Sequence, residues 1–382
     1  MINVLYAVIR GEMGGVERFL DSVLFAHSDR ANSNQVNPVV LSFREGPWLD
    51  EIRARGLPVY VIENARLREP MRCFREVRAI IQRHQIDVVH SSYSWCHALT
   101  WPAALYSRCG TVWFHHGPVG EGRWQGAMAL IPADLMLTNS EFMLERLKTT
   151  IHCARQLGVV HYGIDADEFA PDLARRAAFR KAWMLDDDTC AVGIVGFLDR
   201  WKGQDIFLKA AKLLHPEAKR IRMMVIGGPR EGATRAACEA YEAELRAYAS
   251  RNGLDEMVSF TGHVDIRDGA LDGLDVFVHA STAPEPLGIV IMEAMAKGRA
   301  IIASAEGGPR EMITDGVDGL LIKPREPDVL AATIRRLCAN SDERVRLGSA
   351  ALERVRTKFS PARAAEKLED WYERILKIRW PK

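Results

Sequence analysis

The sequence has no stretch that approaches the roughly 20 consecutive apolar residues needed by a membrane-spanning helix. Its first apolar run is short and lacks a basic leader, which argues against a signal peptide. Net charge is also scarce, because 51 Lys and Arg offset 50 Asp and Glu to leave a formal charge of +1. Without an overall field of one sign, the chain is not expected to bind nucleic acid. These absences predict a cytoplasmic protein, for which any membrane contact would be peripheral and at the inner face.

Paired cysteines and repeats are missing as well. The seven cysteines are scattered, none forms a C-x-x-C pair, and their number is odd. This pattern argues against a zinc ribbon and a disulfide framework and favours a reducing compartment. The chain shows no repeat of about 20–50 residues and no low-complexity segment. The loop after the first apolar run holds Gly14 and Gly15 but not G-x-G-x-x-G, which argues against a dehydrogenase.

Short apolar runs alternate with longer helical patterns through the first part of the chain. Six runs predict strands, at 2–9, 36–43, 59–62, 87–90, 111–115 and 135–138. Because these runs are apolar almost throughout, they are typical of parallel strands that are buried on both faces. The alternation with helical patterns favours β-α units over a sandwich or a helical bundle.

A linker and a second series of strands follow. The segment 161–172, with its Gly, Pro and several Asp, ends the first series. Further strands are predicted at 191–195, 221–226, 258–261, 276–280 and 300–304. The stretch 360–378 predicts a helix, since Ser360 suits the N-cap and Pro361 the first helical position. At roughly 100–200 residues per domain, the chain therefore predicts two doubly wound α/β domains in tandem.

The densest functional signal lies between 283 and 313, directly after the predicted strand 276–280. Open α/β sheets bind their ligands at the carboxyl ends of the strands. We expect a helix over 287–297, beginning at Leu287. The unpaired amides of its first turn, near Gly288 and Ile289, suit a diphosphate because they carry the positive end of the helix dipole.

Two glutamates accompany this predicted helix. Glu285 lies in the loop before it, where a carboxylate can reach sugar hydroxyls or the leaving phosphate. Glu293 lies more than a turn inside the helix, where a carboxylate can accept two hydrogen bonds from a ribose diol. Two solvated glutamates are the alternative. The preceding strand, the Pro-Leu-Gly turn and the trailing Gly307 and Gly308 favour a binding site.

Two other loops at strand ends offer anion-binding groups. Arg200 and Lys202 follow the predicted strand 191–195, and two cations there can neutralise a diphosphate leaving group without a metal. A solvated basic loop is the alternative. Gly14 and Gly15 form either an anion nest at a helix start or a plain tight turn.

His115 and His116 stand at the end of the predicted strand 111–115. Either imidazole can hydrogen-bond a donor sugar or the charge that develops on it, and a structural histidine is the alternative.

Three weaker signals are also present. They are a D-x-D pattern at 186–188, a basic stretch at 66–83, and four tryptophans, Trp95, Trp101, Trp113 and Trp124. We expect the D-x-D pattern to lie in a solvated loop. For the basic stretch we favour a solvated helix face over lipid binding, and for the tryptophans we favour core packing over stacking on a sugar.

These motifs resemble those of the retaining glycosyltransferases of family four. The resemblance runs through most of the chain, in GGVERFL, DVVH, HHGPVG, TNSEFM, GID, RWKGQD, DVFVHAS, PEPLGIVIMEAMAKG and GGPREMITDGVDGLLIKP. It implies the α/β GT-B fold, in which two Rossmann-like, doubly wound parallel-sheet domains flank an active-site cleft. The implied acceptor-side domain spans 1–168 and is joined by a terminal helix at 361–382. The implied donor-binding domain spans 173–360.

The resemblance also implies roles for charged residues. Glu293 would hold the ribose, Glu285 would contact the donor sugar, and Arg200 and Lys202 would hold the diphosphate. Many members carry Arg directly after the glycine that ends the strand, where this chain has Phe197. Arg200 is the expected substitute.

Further contacts are implied for backbone groups and for the first domain. The amides of Gly288 and Ile289, beside Leu287, would bind the diphosphate, and Gly14 and Gly15 would close over it. The candidates for contact with the reacting sugar or the acceptor are His116, His115, Asn139 and Ser140. The implied catalytic set is His116, Glu285, Arg200 and Lys202.

The implied activity is sugar transfer from a nucleotide-sugar donor, with UDP or GDP as the expected nucleotide. The acceptor would be a growing glycan, a lipid-linked saccharide or a small molecule, as in polysaccharide biosynthesis. Transfer would retain the anomeric configuration and need neither a metal nor another cofactor. The alternatives are a sugar-nucleotide epimerase or a phosphorylase on the same architecture, and a nucleotide-binding regulator without catalysis.

Overall fold

The computed structural model describes residues 1–29, 36–63, 70–117, 130–215, 220–229, 235–264 and 269–379. The chain divides into two compact α/β units. One comprises Met1–Gly163 together with the chain from Phe359 onward, and the other comprises Ile164–Lys358. The first division lies slightly before the predicted boundary at position 168.

The first unit is built around a seven-stranded parallel sheet. Its strands are β1 (Ile2–Val8), β2 (Val36–Ser42), β3 (Val59–Val61), β4 (Val88–Ser92), β5 (Gly110–His115), β6 (Ala133–Thr138) and β7 (Ala154–Val159). Its helices in the described residues up to Gly163 are α1 (Gly15–Asp29), α2 (Pro47–Ala54), α3 (Pro70–His84), α4 (Ser94–Tyr106) and α5 (Glu141–Lys148). The strand order is β3-β2-β1-β4-β5-β6-β7.

The second unit holds a six-stranded parallel sheet. Its strands are β8 (Cys190–Val195), β9 (Ile221–Ile226), β10 (Val258–Gly262), β11 (Val276–His279), β12 (Ala300–Ser304) and β13 (Leu320–Ile322), in the order β10-β9-β8-β11-β12-β13. Its described helices are α6 (Leu173–Ala182), α7 (Gln204–Leu214), α8 (Arg235–Arg251), α9 (Ala270–Gly273), α10 (Ile289–Ala296), α11 (Pro309–Met312), α12 (Pro327–Ala339) and α13 (Ser341–Lys358). The chain then returns to the first unit in α14 (Pro361–Arg379).

The strand order of the second sheet determines where a ligand can bind. β8 pairs with β9 on one side and with β11 on the other, so the direction of winding reverses between β8 and β11. In open α/β sheets, the crevice at such a reversal is the usual ligand site, because the loops leaving the two strands diverge there. The loops after β8 and β11 carry Lys202 and Glu285, respectively.

The predicted fold class, two doubly wound parallel sheets, is confirmed. Two strands were missed. β7 contains Arg155 and Gln156 and lies at the sheet edge, and β13 has only three residues, so neither gives a long apolar run. None of the helices in the described ranges combines the length and apolar character needed to cross a bilayer.

A buried chain of polar side chains joins α14 to the first sheet. His27 Nδ1 lies 2.8 Å from Glu369 Oε1, and His27 Nε2 lies 3.2 Å from the Tyr6 hydroxyl. The Tyr372 hydroxyl donates to that of Tyr6 at 3.2 Å and lies 2.6 Å from His90 Nδ1. All five side chains are buried, and burial lowers the pKa of His90 to about 3, so its imidazole is neutral. The terminal helix therefore completes the polar interior of the first unit.

Replacing Tyr372 by Phe is expected to destabilise the first unit by roughly 1–3 kcal/mol, because buried partners in the chain lose a hydrogen bond. The measurement is urea denaturation combined with amide hydrogen exchange of β1 and β4. Tyr106→Phe is the matched control, since Tyr106 is 63% exposed and its change should have little effect. Equal effects of the two variants would contradict a stabilising role for the buried chain.

Candidate functional site

The candidate site of the second unit lies where the winding of its sheet reverses. The loop after β8 makes one turn of 3-10 helix at Arg200–Lys202 and ends at Gly203. The Thr282 amide, in the loop after β11, donates to the Trp201 carbonyl at 2.7 Å. The two loops are therefore tied together by their backbones, which brings the side chains they carry close to one another.

A close backbone approach makes glycine necessary at position 203. Gly203 has a φ of 77°, and a Cβ atom there would lie 1.9 Å from the Ala280 carbonyl oxygen. Any other residue would force the loop after β8 away from the end of β11. The sequence therefore places Lys202 next to β11 through its neighbour Gly203.

The loop after β12 fixes Glu285 from the other side. Glu285 forms an isolated parallel bridge with Gly307, and the Gly308 amide donates to the Glu285 carbonyl at 2.8 Å. Gly307 has a φ of 72°, and a Cβ atom there would lie 2.3 Å from the backbone carbonyl oxygen of Glu285. The Gly307-Gly308 pair thus serves to hold the backbone of Glu285.

Four side chains meet where the loops after β8, β11 and β12 are held together. Lys202 Nζ lies 2.8 Å from Glu285 Oε2, and the ammonium also sits 4.0 Å from the centre of the Trp201 ring. His279 Nε2 and Ser281 Oγ each lie 3.4 Å from the same carboxylate oxygen. Lys202 and Glu285, predicted as partners in one site, are indeed in contact.

The electrostatics of this cluster keep Glu285 ionised. Burial alone would raise the pKa of its carboxyl group, but the hydrogen bond from His279 and the charge of Lys202 outweigh that effect and hold the pKa at about 2. Because this pKa lies below the ordinary value, the carboxylate keeps its charge as the pH falls and loses it only near pH 2. Glu285 therefore acts as a hydrogen-bond acceptor at neutral pH.

The helix that follows begins two residues later than predicted, at Ile289 rather than Leu287. Gly288 has a φ of 95° and lies outside the helix as its N-cap, while the Leu287 side chain is buried in the core. The left-handed conformation turns the chain sharply into α10, which a residue with a side chain would do only under strain. The amides of Gly288 and Ile289 lie at the start of α10.

Glu293 is buried within α10, where it is the only charged residue of the sequence IVIMEAMA. Burying a charged group costs free energy unless polar groups meet it. Glu293 meets such a group within the protein. Its predicted contact with a ribose stays a prediction.

Arg200 is not among the groups that meet Glu285. Its guanidinium donates to both carboxylate oxygens of Glu244 at 2.7 Å and lies 4.9 Å from the centre of the Tyr241 ring. The Arg200 side chain is 69% exposed, so this pair contributes little to stability. Phe197 is also exposed, and the predicted substitution of Arg200 for the usual arginine has no support from this geometry.

The predicted histidines lie at the carboxyl edge of the first sheet. His116 Nδ1 lies 2.6 Å from the Tyr162 hydroxyl, its ring stacks on Phe114 with centroids 4.3 Å apart, and its carbonyl accepts from Asn139 Nδ2. Burial lowers the pKa of His116 well below its ordinary value, so the imidazole is neutral. Within the described residues, His116 Nε2, Asn139 Oδ1 and His115 Nδ1 are buried without a hydrogen-bond partner.

Other predicted residues of the first unit are already engaged. Gly14 lies against the buried Glu17 carboxylate, since a Cβ atom there would be 2.7 Å from Glu17 Oε2, and Gly15 begins α1. Ser140 is the N-cap of α5, where its hydroxyl accepts from the Met143 amide at 3.2 Å. Roles of these residues toward a ligand stay predictions.

The weaker sequence signals have structural explanations where the structure describes them. Residues 186–188 precede β8, at the sheet edge opposite the site. In α3, Arg72 pairs with Glu76 and Arg78 lies over the Tyr106 ring, while Arg66 and Arg68 fall outside the described residues. Trp113 is buried in the core, Trp95 is partly exposed, and Trp124 lies outside the described residues.

His279 and Ser281 were not identified from the sequence. His279 is the last residue of β11, whose other residues are apolar. A polar residue that ends a buried strand at a winding reversal was the available signal.

Two family models match the chain. One, described as glycosyl transferases group 1, matches residues 175–354, and the other, described as glycosyltransferase family 4, matches residues 13–168. The chain belongs to glycosyltransferase family 4. It is a glycosyltransferase, as its sequence motifs predict.

Curated relatives of this glycosyltransferase act on different acceptors. It is 28% identical to a GDP-mannose-dependent alpha-(1-6)-phosphatidylinositol monomannoside mannosyltransferase of Mycobacterium tuberculosis, over 77% of this chain and 78% of the relative. It is 31% identical to a D-inositol 3-phosphate glycosyltransferase of Mycolicibacterium gilvum, over 64% of this chain and 52% of the relative.

Solved structures show the same fold. Anabaena HepE, in complex with UDP and glucose, superposes with a TM-score of 0.80 at 22% identity, covering 98% of this chain and all of HepE. The sucrose-phosphate synthase of Thermosynechococcus elongatus gives 0.77 at 18% identity, covering 99% of this chain and all of the synthase. The predicted GT-B fold is therefore confirmed.

Two glycines of this glycosyltransferase form a matched pair that tests whether the Gly307 contact positions Glu285. Gly307→Ala and Gly316→Ala both place a side chain at a similar positive φ, but only the first brings Cβ against Glu285, since position 316 opens to space. We expect both variants to lose about 1–2 kcal/mol of stability from backbone strain, and Gly307→Ala to lose more and to weaken nucleotide-sugar binding at least tenfold. Thermal denaturation and calorimetry measure the two effects. Equal losses of binding in the two variants would show that the Gly307 contact does not position Glu285.

Proposed function

We propose that this glycosyltransferase transfers a hexose from a UDP- or GDP-linked donor to a hydroxyl group of an acceptor, with retention at the anomeric carbon and without a metal. The observation that carries the proposal is the pair of Lys202 and ionised Glu285 at the winding reversal of the second unit. One group is a cation suited to a diphosphate, and the other is an acceptor suited to sugar hydroxyls.

The names of similar proteins support a nucleotide-sugar donor. A mycobacterial relative is named for its dependence on GDP-mannose, and HepE was solved with UDP and glucose. These proteins differ in their nucleotide base, so the base pocket of this chain decides between them. A UDP-linked and a GDP-linked donor are therefore both proposed.

Positive charge for the diphosphate would come from the protein. Lys202 supplies a full charge, and the amides of Gly288 and Ile289 supply the positive end of α10. Charge that develops on the leaving diphosphate is stabilised most by groups already oriented toward it. This arrangement would perform the task that a divalent cation performs elsewhere, which is why we propose transfer without a metal.

For retention we propose that the acceptor attacks the face from which the diphosphate departs. The leaving diphosphate then takes the acceptor proton, and no covalent sugar–enzyme bond is required. Glu285 is tied to Lys202, His279 and Ser281 in a hydrogen-bonded cluster, which suits a binding role better than a nucleophilic one. Neutral His116, whose buried Nε2 has no partner within the described residues, is the candidate of the first unit for contact with the reacting sugar.

The acceptor is proposed only by class, as a growing glycan, a lipid-linked saccharide or a small molecule. The relatives named above include a lipid-linked and a soluble acceptor. We propose a cytoplasmic location with membrane contact through the first unit when the acceptor is lipid-linked. Exposed Met71 and Tyr106, on α3 and α4, would be the apolar groups of such a contact.

The first experiment is calorimetric titration with UDP, GDP, ADP and CDP in the presence of EDTA. One nucleotide should bind tightly, and Glu293→Ala should abolish its binding, because the ribose diol loses its acceptor. Glu256→Ala, which removes an exposed glutamate of the same unit, is the control and should bind like the unaltered protein. If none of the four nucleotides binds, the donor site is misplaced, and production of sugar 1-phosphate from inorganic phosphate would favour a phosphorylase instead.

Lys202→Ala should weaken binding of the selected nucleoside diphosphate by roughly 10- to 100-fold, the effect of losing one charge-assisted hydrogen bond of about 1.5–3 kcal/mol. Lys209→Ala is the matched control, since Lys209 pairs with Asp205 on the exposed side of α7 and should not affect binding. Calorimetry at two salt concentrations measures both. A Lys202→Ala protein that binds as tightly as the control would remove Lys202 from the diphosphate site.

A further inference from the structure

The contacts of Glu285 are unequal between its two carboxylate oxygens. Oε2 meets Lys202 Nζ at 2.8 Å, and His279 Nε2 and Ser281 Oγ at 3.4 Å each. Within the described residues Oε1 receives no hydrogen bond, and it is not among the buried unpartnered atoms. One oxygen therefore anchors the carboxylate, and the other is left able to accept a hydrogen bond.

The three anchoring groups differ in how firmly they are held. The Lys202 ammonium lies at the end of a long side chain, on the loop after β8. His279 is the last residue of β11, pairs in register with Ala303 of β12, and accepts a hydrogen bond at its carbonyl from Ser304 Oγ at 3.3 Å. Its imidazole is 5% exposed and lies 3.0 Å from Ser281 Oγ. His279 is thus held by the sheet, and Ser281 follows it by two residues, whereas the Lys202 ammonium is reached through four rotatable side-chain single bonds.

A bound diphosphate would compete for Lys202. It carries more negative charge than a single carboxylate, so the ammonium is drawn toward it and away from Glu285. Glu285 would then be held by His279 and Ser281. Without them, a buried carboxylate that has lost its cation tends to take up a proton or turn toward water.

We propose that His279 is a positioning residue that, together with Ser281, holds Glu285 ionised and oriented toward the donor sugar while Lys202 serves the diphosphate. The proposal rests on the donor site described above and adds a specific residue to it. His279 acts through Glu285 and need not touch the donor.

Core packing does not explain the histidine equally well. Its Nδ1 is buried without a partner in the described part of the chain, and an orphaned polar atom costs free energy. A leucine of similar volume would avoid that cost. A His279→Leu protein should therefore still fold, because removal of the orphaned nitrogen partly offsets the lost hydrogen bond to Glu285, whereas its function should be impaired.

The first test uses nucleotide sugars against nucleoside diphosphates. For His279→Leu we expect affinity for UDP or GDP to change less than threefold, and affinity for UDP-glucose or GDP-mannose to fall at least tenfold, both by calorimetry. His279→Gln, which keeps an N–H donor, should recover most of the loss. His215→Leu, which removes an exposed imidazole after α7, is the control. Equal losses for both ligand types, or no loss at all, would overturn the proposal.

The second test needs no nucleotide and therefore separates this proposal from the proposed function. Lys202→Ala imitates the state in which Lys202 has left Glu285, and carbon-13 NMR follows the Glu285 carboxyl as the pH is changed. In Lys202→Ala alone, His279 should keep the pKa of Glu285 below its ordinary value. In the Lys202→Ala, His279→Leu double variant, burial should raise that pKa above it. Identical titrations in the two proteins would overturn the proposal even if the nucleotide experiments succeed, and a clear difference would support it even if no nucleotide binds.

Discussion

The Ala280 carbonyl oxygen lies so close to Gly203 that a Cβ atom there would be 1.9 Å away, and a similar approach joins Gly307 to Glu285. These two approaches lock the loops after β8, β11 and β12 to one another. Lys202 and Glu285 are neighbours because glycine at these two positions lets the backbones approach, and the hydrogen bonds of the Thr282 and Gly308 amides hold them together. The proposed donor site therefore depends on two residues that have no side chains.

The ion pair formed in this frame is poorly suited to a purely stabilising role. Both side chains are largely removed from water, and the loss of hydration offsets much of the attraction between them. A site that receives a diphosphate, as we propose for this one, would benefit from such a pair, because the cation is already oriented and the carboxylate is already charged. We therefore expect the pair to contribute to ligand binding more than to the free energy of folding.

The sequence predicted the features that depend on long patterns. Apolar runs located most strands, and the loops at their ends located Lys202 and Glu285, because these signals are local and repeated. The strands β7 and β13 escaped because one is an edge strand with polar residues and the other has three residues. The early start predicted for α10 failed because Leu287 fits a helix by composition, whereas the left-handed Gly288 prevents one.

Side-chain direction was the harder part. Nothing in the RWKGQD motif shows that Arg200 turns to Glu244, which lies on a helix far along the chain. In the same way, the contact of His279 with Glu285 depends on a loop that folds back over the end of its own strand. Such choices are made by tertiary packing among distant residues, and a single sequence carries no local pattern for them.

Because the chain returns to the first unit in α14, the two units cannot be completed in the order in which their synthesis begins. Domains usually fold as they emerge, with the amino-terminal one first. Here the second unit is continuous over Ile164–Lys358, whereas the first unit requires Glu369 and Tyr372, which are made only after the second unit. Until then Tyr6, His27 and His90 lack their partners on α14. The unit whose synthesis starts earlier is thus completed later, and a chain terminated before Glu369 would carry a whole second unit and an unfinished first.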